Sequence, residues 1–417
     1  MSQKKFFSVL KQEIDRIDKS KTSKRFEKII AGFTKEKSPK AIIGKEKYQV
    51  FNSNDYLGLR HNPLLKKAER QVSEIFGTGP GAVRFISGSL KIHRDLEKAL
   101  AKFHKRDDAM VFSSSFATNM AVLYCLITGQ NKDSLVDNNI IVISDALNHR
   151  SIIDGIRVAN LPKEQRAIFN HIDPAHLETV LESNKKIYKR ALVVTDGIFS
   201  MLGEYQKLKE IRNIVDRFDK EYRNGVLLVV DDAHGVGIAG KSGRGVEEIE
   251  GVKVDVLIGT FGKAFGADGG YVAADQTIID YLRESAATYI YSNSIPPGTA
   301  GAALKAIELL DKPAGKKLFK SSKENVAYFK KMMKTAGFLF AADSSHPIQP
   351  VLIGDPIKTS ALVSKLFKKN IIVTNISFPV VPKGRDEIRV QISAVHTKGD
   401  IDQLVKAFAE EKNINSL

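Results

Sequence analysis

Val254-Asp-Val-Leu-Ile-Gly-Thr-Phe-Gly-Lys-Ala-Phe-Gly266 is an apolar run that breaks off at Thr260 and then at a lysine, Lys263, bracketed by Gly262 and Gly266. Its apolar residues stand side by side rather than alternating, the pattern of a strand covered on both faces. A lysine just past the end of such a strand has two readings. It is a surface cap, or it is an amine placed for covalent chemistry with an aldehyde. The stretches ahead of it in the chain decide between them.

Four more runs have the same form: Ala109-Met-Val-Phe112, Ile140-Ile-Val-Ile143, Ala191-Leu-Val-Val194 and Val226-Leu-Leu-Val-Val230. Helical patterns lie between them, such as Ile92/Leu96/Leu100/Phe103 with its four-residue spacing. The alternation predicts an α/β fold, a mostly parallel sheet covered by helices. In such sheets ligands bind beyond the carboxyl ends of the strands. Lys47-Tyr-Gln-Val-Phe51 reads as a short strand entering the polar turn Asn52-Ser-Asn-Asp-Tyr-Leu-Gly58.

After about residue 300 the pattern changes to a smaller α+β unit, with a long helix from near Gly298. Further helices are expected near 320–335, 358–368 and 398–411, and strands near Ile348–Leu352, Ile371–Thr374 and Ile388–Ile392. Residues 1–40 read as a charged helical arm whose stripe of Phe6, Phe7, Leu10, Ile14 and Ile17 docks on the body or on a partner subunit. The expected organisation is an N-terminal arm (1–45), a large domain (46–297) and a small C-terminal domain (298–417).

The 417-residue chain has no run of the roughly 18 apolar residues that span a bilayer, and its Lys-rich start lacks the apolar core of a secretion signal. No integral membrane association is expected. Cys125 is the only cysteine. That excludes an intramolecular disulfide and fits a reducing cytoplasm. The net charge of +16 invites a nucleic-acid reading, but the basic residues are scattered through Lys35–Lys40, Lys185–Arg190, Lys316–Lys323 and Lys365–Lys369 without a recognition motif. A solvated surface is the expectation, with attraction of an anionic substrate such as an acyl-coenzyme A as the second reading and no nucleic-acid partner.

Polar residues gather where the strands end. Ser113-Ser-Ser-Phe-Ala-Thr-Asn119 precedes a helix and offers either a plain serine cap or a phosphate cradle of free N–H groups. In Asp145-Ala-Leu-Asn-His149 the histidine is a cap, or a ring that stacks on a planar ligand or titrates near neutral pH. Thr195-Asp-Gly-Ile-Phe-Ser-Met201 places Asp196 and Ser200 beyond the strand Ala191–Val194, either as polar groups for a ligand or as a simple turn. Asp231-Asp-Ala-His234 is more specific: Asp231 at a strand tip can hold a protonated ring nitrogen, and His234 can reach another edge of the same ring. Asp-x-x-His also resembles half a metal site, but no further His, Cys or carboxylate cluster completes it, and no metal is expected. Thr260 adds a hydroxyl for a phosphate, and Lys263 an amine for an aldehyde. A cradle, a stacking ring, a carboxylate and a lysine are the parts that pyridoxal 5'-phosphate needs.

At these residues the chain resembles the α-oxoamine synthases, fold-type I pyridoxal-phosphate enzymes that condense an amino acid with an acyl-coenzyme A. The resemblance covers about residues 45–410. It is carried by Asn54-Asp-Tyr-Leu-Gly-Leu59, Arg84-Phe-Ile-Ser-Gly88 with His93 and Leu96-Glu97, Asp231-Asp-Ala-His-Gly235, Thr260-Phe-Gly-Lys263, Tyr291-Ser-Asn-Ser294 with Pro296-Pro297, and Arg389. It implies that Lys263 carries the cofactor and acts in catalysis with Asp231 and His234. Asp231 would face the ring nitrogen, His149 would stack on the ring, and His234 and Ser200 would lie near its phenolic oxygen. The backbone N–H groups of Ser115 and Phe116, with the Thr260 hydroxyl, would hold the phosphate. Ser292 would reach a neighbouring subunit's phosphate, since the family's sites are shared within a homodimer. Arg389 and Asn54 would hold the substrate carboxylate.

Two members of the family compete. Ser144–Arg157, Thr195–Met201, Phe378-Pro-Val-Val-Pro-Lys-Gly384 and Arg389–Thr397 look like glycine C-acetyltransferases, also called 2-amino-3-ketobutyrate coenzyme A ligases. Asp231–Gly235 and Tyr291–Pro297 sit as well in 8-amino-7-oxononanoate synthases. Ser115, Phe261 and Phe265 depart from the acetyltransferase pattern, which leaves the acyl chain open. An aminotransferase of the same fold is the remaining alternative. The first expectation is condensation of glycine, or another small amino acid, with acetyl-CoA.

Overall fold

The computed structural model describes residues 2–20, 23–129, 133–378 and 381–415. Pro379 and Val380, part of the stretch compared above, lie outside them. The main sheet has seven strands in the order Asp108–Phe112, Gly270–Ala274, Val256–Thr260, Val226–Asp231, Arg190–Asp196, Ile140–Asp145 and Arg166–Phe169. The last five are mutually parallel. Gly270–Ala274 runs antiparallel to both its neighbours.

Four of the five runs read as doubly covered strands are strands where expected, and the fifth is shifted. Ile140 and Val142 pack into one core with Val122 and Ile152. Ile141 and Ile143 pack into another, on the opposite face, with Leu177 and Ile211. A one-residue slip would exchange the two faces, so the register of the central strands is fixed from both sides.

The strand expected over Val254–Ile258 is displaced to Val256–Thr260. Asp255 explains the shift, because its carboxylate accepts from the Leu228 amide at 2.7 Å and from Arg212 at 2.9 Å, tying the chain just before the strand. Thr260 is therefore the last residue of the strand, directly opposite Gly270.

The N-terminal arm is helical over Ser2–Lys19 and not through residue 40. Gly32–Phe33 and Ala41–Ile43 are short strands, in a small sheet with Glu46–Val50 and Ile371–Ile372. The apolar stripe of the helix does not dock on the body: Phe6 is 60% exposed and Phe7 57%. At the other end of the chain, the long helices Pro297–Leu310 and Pro313–Thr335 lead to a four-stranded sheet, Leu339–Phe340, Ile348–Leu352, Glu387–Gln391 and Thr374–Ile376. The strand expected over Ile371–Thr374 is split at Val373, one part in each small sheet. Phe51 is buried in the C-terminal core beside Val390 and Phe408. Among the described residues no helix is long and apolar enough to cross a membrane.

One buried ion network locks the segment around Ser292. Arg84 donates to Glu97 at 2.8 Å, to the Val111 carbonyl at 3.1 Å and to Ser294 at 2.9 Å. Arg283 donates to the second Glu97 oxygen at 2.9 Å, and His93 bonds the Ile295 carbonyl at 2.8 Å. Glu97 is 1% exposed. Removing one member of a buried ion network leaves its partners charged and unpaired, at a cost of about 3–5 kcal/mol. Urea unfolding should report that loss for Glu97→Ala. Asp95→Ala, which breaks the exposed Lys91–Asp95 pair, should cost under ~0.5 kcal/mol. Equal losses for the two would show that the network contributes nothing.

Candidate active site

The sheet's parallel register brings the polar strand ends together. Asp196 and Asp231 are direct neighbours on adjacent strands, with Thr260 ending the next strand but one from Asp196. Asp231 is buried; its Oδ2 accepts from Asn119 Nδ2 at 2.6 Å and its Oδ1 from the Ala233 amide at 3.0 Å. Asn119 Nδ2 also donates to Ser151 Oγ at 2.9 Å, which lies 2.7 Å from His149 Nδ1. One chain of contacts thus orients both the carboxylate and the histidine ring. His149 caps the helix Arg150–Val158, as the capping alternative expected, yet its ring stays exposed and free to stack.

The helix Ser115–Thr128 is capped by Ser114, whose side chain accepts from the Ala117 amide. The amides of Ser115 and Phe116 are among those a helix leaves without an internal acceptor. The first lies against Gly270, where a Cβ would fall 2.3 Å from the Ser115 nitrogen. Only glycine lets the helix start come this close to the sheet edge that ends in Thr260. The cradle therefore fits a phosphate. In the present conformation the Thr260 hydroxyl gives its proton to the Gly269 carbonyl at 2.9 Å and accepts from the Gly262 amide at 3.1 Å. Turning it to a phosphate breaks the first of these bonds.

Lys263 follows in a turn closed by the Gly266 amide on the Lys263 carbonyl at 3.0 Å. Of its two bracketing glycines only Gly266 is required: its φ is +67°, and a Cβ would lie 2.4 Å from the Arg60 nitrogen, whereas Gly262 has nothing closer than 3.5 Å. Burial lowers the Lys263 amine below the usual lysine range, against the pull of Asp231 and Asp196. Burial likewise raises Asp196 well above the usual carboxylate range, and the neighbouring Asp231 charge adds to the shift. An amine whose proton affinity is lowered by burial between two buried carboxyl groups is suited to covalent and proton-transfer chemistry.

His234 is buried and its imidazole is pushed well below its ordinary value, first by burial and then by Lys263 and Arg389. It is neutral at neutral pH, so any proton it donates comes from the imidazole form. Its Nδ1 lies 2.8 Å from the Tyr56 hydroxyl, which has one proton to give, either to that nitrogen or to Asn54 Oδ1 at 3.1 Å. Gln391 also donates to that oxygen. With its oxygen taken, Asn54 has its Nδ2 to offer a ligand. His346 Nε2 meets the His234 carbonyl at 2.9 Å, while its Nδ1 accepts from the Ile348 amide. Arg389 is half-buried, yet its Nε and Nη2 are fully enclosed and have no partner. Buried guanidinium nitrogens without acceptors are uncommon and suit a carboxylate.

Lys263, Asp231, His149, His234 and Arg389 thus form one electrostatic group. Ser200 and Ser292 are half-buried, and among the described residues no hydrogen bond ties either to that group. The sequence reading gave no role to Tyr56, Asn119, Gln391 or His346. Tyr56 and Asn119 stood within stretches already singled out, but nothing local marks His346. Among the described residues no group of His, Cys, Asp and Glu could hold a metal ion.

Residues 46–408 match the family model for class I and II aminotransferases. The chain is 40% identical to human mitochondrial 2-amino-3-ketobutyrate coenzyme A ligase over 363 residues, 86% of this chain and 81% of that one. It is 37% identical to an 8-amino-7-oxononanoate synthase of Bacillus velezensis over 414 residues, 98% of this chain and 99% of that one. Among solved structures, SPT with a PLP internal aldimine superposes with a TM-score of 0.85 at 26% identity, covering 98% of both chains.

Proposed function

We propose, for a chain that belongs to the class I and II aminotransferase family and within it to the α-oxoamine synthases, condensation of glycine with acetyl-CoA to a 2-amino-3-oxo acid and CoA. Its cofactor is pyridoxal phosphate, and its fold is that of the fold-type I transferases. The observation that carries the reading is the pair of enclosed, unpartnered Arg389 nitrogens in the electrostatic group of Lys263 and Asp231.

When bound, pyridoxal phosphate supplies an aldehyde that captures amines and a ring that takes up the electron pair left by a departing Cα proton. The residues do the rest. The Ser115 and Phe116 amides hold the phosphate, and the Asp231 carboxylate keeps a proton on the ring nitrogen. His149 would cover one face of the ring, with Ser200 toward the phenolic edge, and Ser292 would serve a partner subunit's phosphate. Arg389 and Asn54 Nδ2 grip the substrate carboxylate. Lys263, its proton affinity lowered by burial, holds the cofactor and then takes the Cα proton. Neutral His234 donates toward the thioester oxygen.

Glycine and acetyl-CoA are favoured by the stretches Thr195–Met201 and Arg389–Thr397. A longer acyl thioester is the second reading, favoured by the end-to-end match to the Bacillus velezensis protein. CoA release from acetyl-, pimeloyl- and palmitoyl-CoA, each with glycine, alanine and serine, tests both. The expected result is the highest kcat/KM for acetyl-CoA with glycine. A higher value for pimeloyl-CoA with alanine overturns it.

A further inference from the structure

The strand Glu387–Gln391 carries Arg389 and, two residues earlier on the same face, Glu387. Glu387 is fully buried, and neither of its carboxyl oxygens has a hydrogen-bond partner, while two Arg389 nitrogens also go without one. A buried polar group left unpaired costs about 1–3 kcal/mol. An acid and a guanidinium on one strand face would ordinarily remove that cost by closing on each other, and here they do not.

The surroundings of Glu387 offer it nothing else. Its neighbours across the sheet are Leu352 and Ile376, both apolar. The charged groups that face it are Arg389 on its own strand, Arg385 just before that strand, and Glu204 from the turn that also holds Ser200. Burial pushes its carboxyl up to about 8, against the pull of the two arginines. Near neutral pH the side chain therefore keeps its proton and has an O–H to donate.

We propose that Glu387 is a second contact for the substrate carboxylate, donating its carboxyl O–H to one oxygen while the free Arg389 N–H groups take the rest. This rests on reading Arg389 as the carboxylate-binding residue. The carboxylate meets one fixed positive charge and one neutral acid, so Glu387 adds a donor without cancelling the arginine. Once Glu387 ionises it both loses that donor and repels the ligand. An amino acid should then bind more weakly above pH 8.

Calorimetric titration of glycine into the holoenzyme, without acyl donor, tests this in the native protein and in Glu387→Gln, Glu387→Leu and Arg389→Gln. Effects of pH on glycine and on the cofactor are common to all and cancel in ratios. Glu387→Gln keeps an N–H donor and cannot ionise. The native-to-Gln ratio of Kd should be near one at about pH 6.5 and rise about tenfold by about pH 9.5, as expected of a like charge brought beside the ligand. Glu387→Leu should bind several-fold more weakly than native at the lower pH, and its Kd should change between the two pH values as that of Glu387→Gln does. KM for the acyl thioester should stay unchanged in the Gln variant. A native-to-Gln ratio that does not change with pH, or a Leu variant that keeps the native pH dependence, overturns the proposal. Unaltered glycine binding in Arg389→Gln would instead overturn the reading of Arg389.

Discussion

Lys263→Ala is expected to lower CoA release by at least about 10⁴-fold, because in the proposed function one side chain supplies both the covalent hold on the cofactor and the base for the Cα proton. The two losses separate in measurement. Cofactor should still bind, since the Ser115 helix start and Asp231 are untouched, but the colour and borohydride sensitivity of a lysine-bound aldehyde should vanish. Fold is not the cause, because Lys263 makes no hydrogen bond through its amine among the described residues and sits in a turn fixed by backbone contacts at Gly266. Lys263→Arg keeps a charge but raises the proton affinity far beyond that of a buried amine, so it should be as inactive. A variant of either kind retaining more than about 1% of turnover would show that another group moves the proton.

The sequence made the strand ends legible for a physical reason. A strand dry on both faces cannot hide a polar residue, so Asp231 and Thr260 stand out at the point where the apolar run stops. The runs that escaped notice lack that contrast. Arg166–Phe169 is an edge strand with two exposed residues, and Gly270–Ala274 opens with glycine, which carries no apolar signal. Gly270 is nonetheless what lets the start of the helix Ser115–Thr128 come close to the strand end at Thr260. The N-terminal arm was read as helical too far: beyond Lys19 the chain carries Gly32 and Pro39 and forms the short strands Gly32–Phe33 and Ala41–Ile43. Tyr56, Gln391 and His346 reach His234 or Asn54 from three distant segments. Sequence spacing carries no information about such meetings, and Glu387 became conspicuous only when its burial without a partner was visible.

Asp231→Ala is expected to lower kcat about 10²–10³-fold, the cost of removing one preorganised charge from a low-dielectric site. The effect falls on kcat rather than on substrate KM. In the proposed function Asp231 would face the ring nitrogen, whereas the substrate carboxylate would meet Arg389 and Asn54, and the ring would take up electrons poorly once its nitrogen lost the proton. Asn119 sharpens the test. It spends one amide group on both Asp231 and Ser151, so Asp231→Ala also loosens the anchor of the His149 ring. Asn119→Ala leaves the carboxylate in place and disturbs only its orientation, so its loss should be smaller, about tenfold. Asp231→Asn keeps the shape and an amide contact but not the charge, and should resemble alanine in kcat while unfolding at the native temperature. If Asp231→Asn retained native kcat, a charge at this strand end would play no part in the reaction, and the carboxylate would be a structural cap held by Asn119 and the Ala233 amide.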